Sequence, residues 1–139
     1  MRRIAGSILL STVVLLSGCA TDSKRSDSLS RTMIAYANAV RWDGFEVAEQ
    51  FVDPKVRDAH PITDLDRERF KQVQVSDYDD GNGPVSTGEN EVRQTVRIGL
   101  TNVHTQTVRS IVDHQLWRYD PEKNKWWLET GIPNLNQAD

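Results

Sequence analysis

The stretch Glu91-Val92-Arg93-Gln94-Thr95-Val96-Arg97-Ile98-Gly99-Leu100-Thr101-Asn102 alternates in side-chain type from end to end. Val92, Gln94, Val96, Ile98 and Leu100 share one parity, and Arg93, Thr95, Arg97, Gly99 and Thr101 share the other. Successive strand side chains point to opposite faces, so this period of two predicts a long strand with one buried and one wet face. Strands of that kind belong to antiparallel sheets. Downstream, Thr107 to Tyr119 and Trp126 to Thr130 read as two more strands, joined by Asp120-Pro121-Glu122-Lys123-Asn124-Lys125. Upstream, Phe70 to Tyr78 sets Val73 and Val75 against Gln72, Gln74 and Ser76 and reads as the first strand. Asp80-Gly81 and Asn82-Gly83 are turn dipeptides, in a loop that runs on through Pro84 and Gly88.

Before the sheet the period changes. Leu29, Met33, Tyr36, Ala37 and Val40 recur at spacings of three and four, which predicts a helix from Ser28 to about Arg41. Asp43-Gly44-Phe45-Glu46 has the form of a capping box, with Trp42 and Val47 at the positions of a hydrophobic staple. A second helix is therefore expected from Gly44, with Phe45, Ala48, Phe51 and Val52 on one face and an end at Asp53, because the residue before Pro54 is pushed out of helical geometry. Asp53-Pro54 then starts a short third helix to Ala59. The charged segment from His60-Pro61 to Phe70 carries no element in this reading.

Helices first and strands after give an α+β fold: an N-terminal helical hairpin packed on a curved antiparallel sheet of about four strands. The domain runs over 28–135 and the tail over 136–139. This order resembles the NTF2-like or cystatin-like superfamily across Ser28 to Pro133. The resemblance implies a ligand position between helices and sheet. It assigns no site residue, since no catalytic motif of that superfamily is matched. The BamE-like assembly factors share the helix-then-strand order, but their Gly-Met-Thr/Ser helix-start motif is absent.

The chain has 139 residues, with 17 Lys plus Arg against 20 Asp plus Glu and a net charge of −3. That balance argues against nucleic acid, whose binding needs clustered positive charge. A single cysteine excludes an internal disulfide and a multi-cysteine zinc site.

That cysteine sits at the start. Arg2 and Arg3 precede an apolar stretch from Ile4 to Leu16, too short for the roughly 20 residues of a membrane-spanning helix and suited to a secretory signal. Leu16-Ser17-Gly18-Cys19 resembles the lipobox of bacterial lipoproteins. The resemblance implies a signal peptide over 1–18, cleavage before Cys19, and acylation of Cys19. Ala20 in place of Asp after the cysteine implies, in that family, the outer membrane. Each buried methylene is worth about 0.8 kcal/mol, and stable anchoring takes two chains, which such a lipid supplies. Cleavage takes two positive charges from a net charge of −3 and leaves −5. Residues 19–27 read as the lipidated cysteine and a polar tether, Ala20 to Asp27, within roughly 30 Å of the membrane when extended.

Pairing Ile98 with Ser110 puts Gln94, Ser110 and His114 on the core face. They are either satisfied core polar groups or a candidate pocket. His114 and its neighbour Asp113 point to opposite faces and cannot act as a dyad. Asp77, Asp79, Asp80 and Asn82 gather oxygen, but glycine is misplaced and Gly88 stands where a calcium loop needs Glu. His60, His104 and His114 have no metal-ligand spacing, and no nucleophile motif, P-loop or dinucleotide fingerprint occurs. The reading therefore assigns no metal, cofactor or catalytic residue.

In the last hairpin, facing Asp120 with Lys125 sets Tyr119 against Trp126, Trp117 against Leu128, and Arg118 against Trp127. Trp117, Tyr119 and Trp126 make an apolar patch too large to leave in water. Its cover is either the chain itself, through Ile132 to Leu135 or the helices, or a second copy or envelope protein. The expectation is a lipid-anchored, non-enzymatic periplasmic binding or accessory module. The alternatives are a small hydrolase or isomerase using His114 and a structural partner of an outer-membrane assembly.

Overall fold

Residues 17–137 are described by the computed structural model. The expected signal segment up to Leu16, and the side chain of Cys19, lie outside the described residues. Helix α1 spans Ser17–Asn38 and extends through one wide turn, Ala39–Asp43. That turn closes where the Gly44 amide donates to the Ala39 carbonyl at 2.8 Å, with Gly44 at a φ of 98° that favours glycine. Ala20 to Asp27 belongs to α1 and is helical where an extended tether was expected. At about 1.5 Å per residue these residues span roughly 12 Å.

The expected capping box at Asp43 and Glu46 does not form. The chain enters α2, Phe45–Ala48, from Gly44 with no side-chain cap, and Trp42 is 71% exposed rather than stapled. The wide turn has already used the Gly44 amide, so Asp43 is still inside the preceding helical segment. A tight turn, Glu49–Phe51, follows. Helix α3, Pro54–Ala59, starts as expected, with the Lys55 amide donating to Asp53 Oδ1 at 2.7 Å. Helix α4, Asp64–Phe70, fills the charged segment that carried no element in the sequence reading. It does have a capping box: the Asp66 amide donates to Thr63 Oγ1 at 3.2 Å, and the Thr63 amide to Asp66 Oδ2 at 3.0 Å.

Five antiparallel strands follow: β1 Val73–Asp79, β2 Val85–Gly88, β3 Glu91–Asn102, β4 Val108–Asp120 and β5 Lys125–Leu128. Their order is β1-β3-β4-β5, with β2 pairing the start of β3 on the side where β1 pairs its end. The sheet curls into a half-barrel, and the fold is α+β with a curved sheet. Leu29, Met33, Tyr36 and Val40 turn the expected face of α1 onto it. Tyr36 meets Trp117 edge to face at 5.3 Å and Phe51 at 5.8 Å.

The last hairpin pairs as read from the sequence: Trp117 with Leu128, Arg118 with Trp127, Tyr119 with Trp126, Asp120 with Lys125. The β3–β4 register differs by one residue. Ile98 faces Ile111 and Gly99 faces Ser110. A one-residue slip exchanges the faces of a strand, so Ile111, Asp113, Gln115 and Trp117 are buried while Val108, Ser110, Val112 and His114 are exposed. Burying a tryptophan removes roughly 150 to 250 Å² from water, which favours the face carrying Trp117. The two polar residues on that face bond to each other, as described below.

Strand β1 carries a bulge between Val75 and Asp77. Val73 and Val75 point inward ahead of it, and the extra residue, Ser76, changes parity so that Tyr78 points inward after it, opposite Ile98. Gly99 faces the bulge.

Candidate functional site

The buried polar groups of the concave face converge under α1. From β4 come Asp113, 6% exposed, and Gln115, 2% exposed; from β3 comes Gln94, 7% exposed. Trp117 Nε1 donates to Gln115 Oε1 at 3.1 Å. An indole nitrogen only donates, so this bond settles which end of the Gln115 amide carries oxygen. Gln115 Nε2 then donates to Asp113 Oδ2 at 2.8 Å and to Tyr78 Oη at 3.1 Å. Because Tyr78 Oη accepts a hydrogen bond from Gln115 Nε2, its own O–H is directed away from that nitrogen.

Burial pushes the Tyr78 hydroxyl up to about 12, with Asp113 and Asp80 adding to the rise and the Gln115 bond opposing it. Tyr78 is therefore a hydrogen-bond donor at any neutral pH. Burial also raises the Asp113 carboxyl, against the Gln115 bond and the charge of His114. Tyr36 lies well above an ordinary phenol, through burial first and then the charges of Asp113 and Tyr78. Its hydroxyl is buried without a hydrogen-bond partner.

A groove of about 350 Å³ opens beside this network. Met33, Ile34 and Ala37 of α1 form one wall, and Tyr78 and Gln94 form the other. Arg41 and Asp80 also line it. Among the described residues the side chain of Gln94 has no hydrogen-bond partner, although it is almost wholly buried. A second hollow, about 230 Å³, lies between α3, α4 and the C-terminal segment. None of the buried polar residues lines it, and its Arg69 already faces Asp66 at 3.7 Å.

Of the three residues expected in a pocket, Gln94 lies in the concave face and the other two do not. Ser110 and His114 are exposed on the convex face, where His114 Nδ1 stands 3.2 Å from Thr95 Oγ1. The register slip moves both at once. The aromatic patch is covered within the chain. Trp117 is 0% exposed against Tyr36, and Trp126 Nε1 donates to the Arg25 carbonyl at 3.2 Å. Tyr119 packs on Trp126 at 5.2 Å, with the Arg25 guanidinium 5.9 Å from its ring centre. An interface built on Trp117 and Trp126 has no accessible surface, because α1 occupies it.

In the acidic loop, Asp79 Oδ1 accepts from the Gly81 amide at 2.9 Å, an ordinary turn contact. Among the described residues no group of three or more His, Cys, Asp or Glu is arranged to hold a metal. No described helix is long and apolar enough to cross a membrane. Sequence reasoning missed Tyr36, Tyr78, Asp113 and Gln115 as site residues. A corrected register would have found the two on β4.

No family model, curated protein or solved structure matches the chain, so the site is read from its own residues.

Proposed function

We propose that the chain is a lipoprotein, acylated at Cys19 and held on the periplasmic face of the outer membrane, whose domain binds a small ligand in the groove between α1, β1 and β3. The anchor is supported by Leu16-Ser17-Gly18-Cys19 behind the apolar run Ile4 to Leu16, with Ala20 next. The binding role is carried by one observation: Gln94 is buried, lines the groove and leaves its amide unpaired. The Gln94 amide is open to the groove rather than sealed, so its donor and acceptor are available to a bound ligand in place of solvent.

The reading is of a binding module without chemistry of its own. A hydrolase or isomerase using His114 is disfavoured by the place of that residue on the convex face. At about 1.5 Å per helical residue, the groove wall at Met33 to Ala37 stands roughly 20 to 27 Å along α1 from Cys19. That distance holds the ligand site off the bilayer surface.

Replacing Cys19 by Ala is expected to release the protein from membranes, and mass spectrometry of the native chain to show a diacylglyceryl adduct. An unmodified Cys19 with unchanged membrane retention in the variant sinks the anchor.

A further inference from the structure

A hollow of about 440 Å³ opens where the end of β3 and the start of β4 meet the C-terminal end of α4. It shares no lining residue with the groove beside α1, and from Gln94 to Leu100 strand β3 rises about 20 Å, at roughly 3.3 Å per residue. A ligand here is independent of the groove reading. Its apolar lining is Val73, Leu100 and Leu135, the last two buried.

The polar groups that the structure orients here are donors. Arg109 enters from β4, opposite Leu100 in the β3–β4 register, and Arg69 enters from α4. Arg109 is half-buried, donates from Nη2 to the Leu135 carbonyl, and forms no ion pair among the described residues. A guanidinium carries five N–H donors and no acceptor, so one bond to a neutral carbonyl leaves most of its fork and all of its charge unmatched. Arg69 has a loose partner in Asp66, 3.7 Å away, which lines the neighbouring hollow instead. In the loop between the two strands, Asn102 Oδ1 already accepts from the His104 and Thr105 amides at 2.9 and 3.0 Å, which leaves the Asn102 amide nitrogen as its free end. The Thr105 and Thr107 hydroxyls bond to each other at 2.8 Å, a bond that uses only one of their two protons. The chain has 20 Asp plus Glu, yet among the described residues none lines this hollow.

Two guanidiniums without a carboxylate, together with amide and hydroxyl donors, complement an oxyanion, whose paired oxygens match the planar fork of arginine in charge-assisted bonds. A cation would meet like charge, and a neutral ligand would leave the charge of Arg109 uncompensated. We infer that this hollow binds a small organic oxyanion, a phosphate or carboxylate head on a short apolar body, with Arg109 as the main contact and Arg69 as the second.

The test is a titration of the full chain, in non-ionic detergent at fixed ionic strength, followed by NMR at the side-chain Nε–Hε signals of Arg109 and Arg69. The probes are butyl phosphate, butyrate, inorganic phosphate and butanol. Butyl phosphate or butyrate is expected to shift both arginine signals to saturation, and the tighter of the two names the head group. Inorganic phosphate should bind about fourfold more weakly than butyl phosphate, the worth of one buried methylene, and butanol should leave both signals in place. Arg109→Gln, which can still donate to the Leu135 carbonyl, should weaken the tighter anion about tenfold, as loss of a charge-assisted bond does. Arg69→Gln, on an exposed side chain, should weaken it about threefold. If butanol shifts the arginines as strongly as the anions do, if the anions give no saturable shift, or if binding survives at full strength in both variants, the assignment is wrong. None of these outcomes touches the groove, which Gln94 reports.

Discussion

Gly99 lies directly against Asp77 across β1 and β3: a Cβ on Gly99 would stand 3.0 Å from the Asp77 Cβ and 3.0 Å from Ser76 Oγ. The neighbours here include the Asp77 backbone nitrogen at 3.3 Å, so the clash is not with a flexible side-chain end alone. The absent side chain is what lets the bulge at Ser76 close onto β3, and the bulge is what turns Tyr78 inward. Gly99→Val is therefore expected to destabilise the fold by about 1 to 3 kcal/mol, as overpacking does. Denaturant unfolding measures that loss. The near-ultraviolet dichroism of the folded variant should change as well, because Tyr78 and Trp117 are joined through Gln115.

Gln115 is the hub of three hydrogen bonds, to Trp117, Tyr78 and Asp113. Gln115→Leu fills similar volume yet strands the Trp117 donor and the Asp113 carboxyl in a dry environment. Each stranded group costs about 1 to 3 kcal/mol, so a loss of roughly 2 to 5 kcal/mol is expected in urea unfolding. Gln115→Glu is the informative comparison. It keeps the acceptor for Trp117 but sets a carboxylate against Asp113, and should be less stable at neutral than at acid pH.

Asp113 has its own pH signature. Burial holds its carboxyl protonated to higher pH in the folded chain than in the unfolded one. The folded state thus binds more protons once pH exceeds the ordinary carboxylate value, about 3.9. The stability from this group is fully present below that value and is lost as pH rises through the raised folded one. Among the described residues no cation pairs with Asp113, so Asp113→Asn removes the penalty for ionising it. Unfolding free energies taken across pH 4 to 8 are expected to favour the variant by a margin that grows with pH. A constant margin would mean that Asp113 does not titrate in this window.

The strands were legible because alternation is a local property: β3 can be read from its own residues, and the last hairpin from its turn. Register between long strands is not local. Valine and leucine on one parity of β4 competed with isoleucine and tryptophan on the other, and the burial of Trp117 against Tyr36 of α1, with Gln115 bonding both Asp113 and Trp117, favours the second. The site inherited that ambiguity, since Ser110 and His114 exchange faces with Asp113 and Gln115. Tyr78 was illegible for a different reason. A bulge changes parity without changing composition, and its cue was Gly99 in the facing strand rather than anything in β1 itself. Helix α4 was legible in principle, because Thr63 and Asp66 have capping-box spacing ahead of Leu65 and Phe70.

That capping box gives a small and well-bounded prediction. Thr63 Oγ1 accepts from the Asp66 amide and donates to Asp66 Oδ2 at 2.7 Å, and these bonds hold the Asp66 carboxyl below its usual range. Thr63→Ala is expected to cost about 1 kcal/mol. Asp66 should return toward the ordinary carboxylate value in the same variant, which a carboxyl-carbon NMR titration reads directly. The sign is opposite to that at Asp113: the contribution of a lowered carboxyl is present above the unfolded value and lost as pH falls through the folded one.

The start of α1 is held by the sheet, and this sets how much free chain separates the body from Cys19. Trp126 Nε1 donates to the Arg25 carbonyl at 3.2 Å, while the Arg25 guanidinium reaches Asn90 Oδ1 at 3.0 Å and Asp22 Oδ1 at 2.9 Å. A helix end with no tertiary contact frays, because short helices in water are marginal without packing. Helical order from Arg25 onward should therefore depend on Trp126, with the Asp22 pair adding to it at Arg25. Trp126→Phe keeps an aromatic ring in the core and deletes the donor, at an expected cost of about 1 kcal/mol. Amide exchange in Ser26 to Leu29 should speed up in that variant, and trypsin should cut after Arg25 sooner, with the centre of the sheet unchanged. Equal protection of Ser26 to Leu29 in both proteins would mean that packing of Leu29 and Met33 alone holds the helix, and that the free spacer extends no further than the chain before Leu29 in either case.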